Sequence, residues 1–103
     1  MTITAVTTWE GTPASITLIV AGSKAAIEVH ESLGARNPRL LRDLNGPLGV
    51  AHYAIDFDSV EAYGTFMDGM LDHEWWSQTT DAVADAYPEL QMKGTTVFYN
   101  ALE

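Results

Sequence analysis

The stretch from Arg39 to Leu71, RLLRDLNGPLGVAHYAIDFDSVEAYGTFMDGML, constrains the fold more than any other part of the chain. It reads as strand, tight turn, strand, helix. Asn45-Gly46 is the short-range signal of a two-residue hairpin turn, because such a turn needs positive φ at both central positions, which Asn and Gly tolerate best. Pro47 suits the first position of a strand, where no ladder donor is required. In the second strand Ala51, Tyr53, Ile55 and Phe57 share one face, and Val50, His52, Ala54 and Asp56 share the other. Neither face is strongly polar before Asp56, so both are expected to be covered. Asp58 is then a candidate helix cap, with Glu61 as its capping-box partner. Val60, Tyr63, Gly64, Met67, Met70 and Leu71 recur at helical spacing as one apolar stripe. Gly64 on that stripe costs about 1 kcal/mol of helix propensity against Ala, which a close approach to the sheet would explain.

The flanking segments supply the missing elements. Met1 to Trp9 is rich in β-branched residues and alternates, with Ile3, Ala5, Thr7 and Trp9 on one side, so it is expected to be a strand. Thr12-Pro13 opens a helix as N-cap and first helical residue. Ile16, Ile19, Val20, Ser23, Ala26, Ile27, His30 and Leu33 then form its stripe, and Gly34 ends it. Ser15 to Ala21 would also suit a strand, with a shorter helix from Ser23; the cap and the periodicity favour the long helix. After Leu71, Asp72 can cap a second helical segment that runs to Tyr87, with Pro88 as breaker. Leu90 to Leu102 is a last strand, best from Gly94 to Ala101.

Residues 1–103 make one domain. Fourteen acidic against five basic residues give a net charge of −9, with Arg36, Arg39 and Arg42 clustered. Nucleic-acid and anionic-membrane partners are therefore not expected. No stretch resembles a signal peptide or a membrane span, and there is no Cys for disulfide or thiolate chemistry, so a cytoplasmic location is expected. No metal-spaced His/Glu cluster and no phosphate loop is present, so neither a metal nor a cofactor is expected.

The element order β-α-β-β-α-β, with its second helical region broken in two, is the ferredoxin-like split βαβ pattern. Right-handed crossovers put the helices on one face of a four-stranded antiparallel sheet. The other face, with small and apolar candidates, is then bare, and pairing two sheets in a homodimer would cover it. The chain resembles the dimeric α+β barrel superfamily, which includes antibiotic-biosynthesis-type monooxygenases and polyketide cyclases. The resemblance covers essentially the whole chain. It rests on the element order, on Phe57-Asp58-Ser59-Val60-Glu61-Ala62-Tyr63 entering the second helix, and on Asp72-His73-Glu74-Trp75 at the helix break. It implies a sheet-to-sheet dimeric barrel and carries over no catalytic motif.

Candidate site residues follow from chemistry. His73, in the first turn of a helix, and His52, mid-strand between small neighbours, can act as acid or base near neutral pH. Trp75 and Trp76 are adjacent and point about 100° apart on a helix, so one is expected to pack while the other lines a pocket or touches the partner subunit. Trp9 and Tyr53 can join that aromatic wall. His30 is assigned a structural role near a helix C-terminus. Two functions fit: a cofactor-independent enzyme of oxygenase, cyclase or proton-transfer type acting on a small aromatic or polyketide-like molecule, and a non-catalytic dimeric ligand-binding or scaffold protein. An open cavity of several hundred Å³ holding His52 or His73 would favour the first.

Overall fold

A computed structural model describes residues 1–103. The elements are β1 (Ile3–Gly11), α1 (Pro13–Ser32), β2 (Arg36–Arg42), β3 (Val50–Phe57), α2 (Val60–Leu71), α3 (Glu74–Ala86) and β4 (Leu90–Tyr99). The four strands form one sheet in the order β2-β3-β1-β4, and every neighbouring pair is antiparallel. This is the ferredoxin-like topology, with both crossovers split by an intervening strand. Ala5, Tyr53, Ile55 and Phe57 project from the sheet onto Phe66 and Met70 of α2, with Ile27, Trp75 and Trp76 packed against them. The helices therefore cover one face. No helix is long and apolar enough to cross a membrane.

Local chemistry explains α1. The Thr12 hydroxyl accepts a hydrogen bond from the Ser15 amide at 3.1 Å, and Pro13 occupies the first turn. The helix runs unbroken to Ser32, so Ser15 to Ala21 is helical and the strand alternative falls. Gly34, at φ +98°, turns the chain into β2.

Several local expectations are corrected. Asn45-Gly46 does not make a two-residue hairpin: residues 43–49 form a seven-residue connection between β2 and β3. Only Gly46 has positive φ there, and the Gly49 carbonyl is held by the Gly11 amide of β1 at 2.8 Å, away from β2. Ser59, rather than Asp58, caps α2, its hydroxyl accepting from the Ala62 amide at 3.0 Å. Asp58 instead pairs with Arg36 at 2.7 Å. His73, rather than Asp72, caps α3. The last strand begins at Leu90, ahead of Gly94, and ends at Tyr99. A Cβ at Gly64 would meet nothing within 4 Å, so no close approach explains that glycine; Gly69 is the tight one, its Cβ position lying 3.0 Å from Leu33 Cδ2.

The sheet face away from the helices is more polar than expected. Asp56 accepts hydrogen bonds from the Thr4 hydroxyl at 2.8 Å and from Arg39 at 3.2 and 3.4 Å. Burial alone would push the Asp56 carboxyl up, but the bonds from Thr4, Asn37 and Arg39 and the Arg39 charge outweigh it and hold its pKa below the usual value. A polar network thus sits among the apolar side chains of that face, where Leu41 and Phe98 stand exposed.

Candidate functional site

The helix-covered side of the sheet is incompletely filled. One buried cluster gathers Ile3, Tyr53, Phe57 and Phe66, and a second gathers Ile16, Ile19, Ala51 and Leu90. Between them lies a cavity of about 500 Å³, lined by 26 residues of which 20 are hydrophobic. Its origin is legible in side-chain size. α1 presents Gly22, Ser23 and Ala26 to it, and α3 presents Thr79, Ala82 and Ala86. Small residues on facing helices cannot meet across the gap. No residue of α3 is fully buried; the helix seats on the core through half-buried Trp75, Trp76 and Ala86.

Two polar pairs stand in this apolar lining: the exposed hydroxyls of Thr7 and Thr95, 2.8 Å apart, and a buried pair, His30 and Tyr53. His30 falls on the buried stripe of α1, after Ile16, Ile19 and Ala26, and only 6 % of it is exposed. Its Nδ1 lies 2.9 Å from the Tyr53 hydroxyl on β3. Its Nε2 is buried without any hydrogen-bond partner. Phe66 and Trp75 stand edge-on to the imidazole, with ring centroids 5.4 and 4.8 Å away. This dry setting penalises the charged ring, so the His30 pKa falls to about 4 and the imidazole is neutral at pH 7. Burial, helped by the Glu31 charge, pushes the Tyr53 hydroxyl up to about 12. The two groups form a neutral hydrogen-bonding pair that can orient a ligand or polarise a bond in it.

The structure brings Trp9, Tyr53, Trp75 and Trp76 together around the cavity. Both Trp75 and Trp76 are half-buried and both line it, with centroids 6.3 Å apart, so there is no division into one packed and one pocket-lining ring. His73 is exposed and outside the lining; its Nδ1 accepts the Trp75 amide at 3.0 Å, which fixes the start of the helix that carries both tryptophans. His52 lies on the opposite sheet face, its Nδ1 3.1 Å from the Thr8 hydroxyl and its Nε2 3.8 Å from Asp43. Sequence reasoning passed over His30, because a helix-dipole role presumes a charged ring. The available signal was that His30 and Tyr53 are polar groups on inward stripes of two elements expected to pack together.

No protein-family model matches the chain, and no curated protein matches it in sequence. Solved structures match it in fold. A dimeric ferredoxin-like protein from an uncultured marine organism aligns with a TM-score of 0.77 at 11% identity, covering 99% of this chain and 97% of that one. SnoaB, a cofactor-independent oxygenase from Streptomyces nogalater, aligns at 0.64 and 14% identity over 97% and 93% of the two chains. A protein from Deinococcus radiodurans, proposed to be an antibiotic biosynthesis monooxygenase, aligns at 0.63 and 16% over 98% and 93%. At these identities the likeness is one of fold. The chain has the ferredoxin-like architecture to which its sequence resemblance pointed.

Proposed function

We propose that the protein is a homodimer that takes one small aromatic or polyketide-like molecule into the cavity between helices and sheet and transforms it without a cofactor, by oxidation with dioxygen as co-substrate, by cyclisation or by proton transfer. The observation that carries this reading is the roughly 500 Å³ apolar cavity with a single buried polar pair, His30–Tyr53, in its wall. Such a site buries a flat apolar body and orients it through one polar contact. Trp9, Trp75 and Trp76 supply the aromatic walls, and His73 acts by positioning Trp75. The SnoaB likeness agrees with this chemistry at the level of fold. The exposed Leu41 and Phe98 on the outer sheet face, and the dimeric state of the marine protein, support pairing of two copies. His52 then belongs to the subunit contact.

A second reading, binding without catalysis, is favoured by His30 itself: a ring whose pKa is about 4 is a weak base towards a weakly acidic substrate. Quenching of the three tryptophans by a panel of polyketide-like aromatics, followed by mass spectrometry of incubations in air, separates the two. Binding with product formation supports the enzyme, binding without it supports the carrier, and no binding refutes both. Sedimentation should give twice the 11.2 kDa chain mass, and a monomer at micromolar concentration would refute the dimer.

A further inference from the structure

We infer that the cavity selects an uncharged ligand bearing a carbonyl oxygen, which accepts a hydrogen bond from His30 Nε2–H; this deepens, and rests on, the ligand-binding reading above. The inference starts from hydrogen counting. The Nδ1 to Tyr53 hydroxyl distance of 2.9 Å admits two arrangements. If Nδ1 carries the ring hydrogen and donates to the Tyr53 oxygen, the Tyr53 O–H and the Nε2 lone pair both lack partners. If the Tyr53 O–H donates to Nδ1, only Nε2–H is left over. Each buried polar group without a partner is costly, so the second arrangement wins. Tyr53 therefore fixes the tautomer, and the orphan Nε2 is a donor.

His30 lines the cavity but its Nε2 is covered in this structure, so an acceptor reaches it only when a neighbouring side chain moves; an acceptor that carries little water with it answers such a donor, and a ketone or quinone oxygen on an aromatic body fits. The lining contains no Lys, Arg, Asp or Glu. An anionic or cationic ligand would lose its hydration there with no counter-charge, and the net charge of −9 further opposes anions. Trp75 stands edge-on to the imidazole from a helix with no buried residue, so it is the side chain that shifts or stacks as the carbonyl reaches Nε2. The role is also distinct from that of a base: a neutral imidazole N–H polarises the carbonyl and withdraws electron density from its neighbours.

Two measurements test this. Nitrogen-15 NMR of the imidazole in the ligand-free protein should show the His30 hydrogen on Nε2; finding it on Nδ1 overturns the inference whatever binds. Tryptophan fluorescence titrations should then compare 2-acetylnaphthalene, its alkene isostere 2-isopropenylnaphthalene, and 2-naphthoate. The ketone should bind about tenfold more tightly than the alkene, and the carboxylate most weakly. In His30→Phe the ketone and the alkene should bind alike; should that variant fail to fold, the wild-type comparison and the NMR result decide. Equal binding of ketone and alkene by the wild-type protein refutes the donor while leaving the pocket standing. If none of the three binds, the ligand-binding reading fails and this inference falls with it.

Discussion

Replacing His30 by Asn should remove most of the acid sensitivity of the fold between pH 6.5 and 4. Asn keeps a polar group at the δ position, able to face the Tyr53 hydroxyl, but does not titrate. In the wild-type protein the His30 pKa drops from 6.5 to about 4 on folding, because burial disfavours the charged ring. The unfolded chain therefore binds the extra proton within that window, and the folded protein does not. Stability is complete above pH 6.5 and is lost as pH falls toward 4. At 1.36 kcal/mol per pKa unit the total is about 3 kcal/mol, of which about 2 kcal/mol is gone by pH 5. For a domain of this size 2 kcal/mol corresponds to a drop in Tm of roughly 10 °C. Asp56 acts in a separate window: its carboxyl lies below the ordinary value in the fold, so its contribution is lost only as pH falls below about 4. Urea unfolding followed by circular dichroism at pH 7.5, 6, 5 and 4.5 would give the two slopes. His30→Asn should be less stable than wild type at pH 7.5, yet nearly flat to pH 4.5. An equally steep loss in both proteins would show that His30 is not held neutral by the fold.

Gly22→Ala should raise stability by up to about 1 kcal/mol, since the new methyl meets nothing within 4 Å in mid-helix; a lower Tm would show that the α1–α3 gap is closed. Gly49→Ala should be severely destabilising, because its Cβ would collide with the Gly11 carbonyl oxygen where β1 passes the start of β3; thermal melting within 2 °C of wild type would refute that crossing. Gly46→Val should cost about 1–3 kcal/mol in chemical denaturation, since Gly46 sits at φ +138° with Asp43 Oδ2 only 2.8 Å from the new Cβ; an unchanged midpoint would refute this turn geometry. Arg39→Ala should cost about 1–3 kcal/mol at pH 7, by leaving the half-buried Asp56 without its main cation, and the loss should shrink below pH 4.

The parts of the fold that depend on repeated spacing were readable in the sequence. Alternation assigned the faces of β1 and β3 correctly, and Ala5, Thr7, Trp9, Tyr53 and Ile55 all line the cavity from that face. The Thr12-Pro13 cap located the start of α1 because cap and proline act within one turn. Features decided by competition between neighbours were not readable. Asp58 and Ser59 are both good caps and adjacent in sequence; Ser59 takes the cap position, while Asp58 lies at the surface beside Arg36. Asn45-Gly46 is a hairpin signal over four residues, but the long-range bond from Gly11 to Gly49 sets the path of the connection. The site divided along the same line. The aromatic wall followed from local spacing, whereas the His30–Tyr53 pair joins residues 23 apart and exists only once α1 lies on the sheet.

Part of the cavity wall is made of residues that the buried core does not need at their present size. Gly22 has open space where a side chain would begin, and Ala82 comes from a helix with no buried residue. The polar pair, in contrast, is seated beside the main cluster, on Tyr53 and Phe66. Capacity and recognition are thus written on different parts of the chain. Single substitutions along the facing sides of α1 and α3 can widen or narrow the chamber, one carbon at a time, while the hydrogen-bonding end stays fixed. A lineage carrying this scaffold could move between ligands of different length through such positions, and a laboratory library confined to positions 22 and 82, which lie outside the buried clusters, would retrace that route.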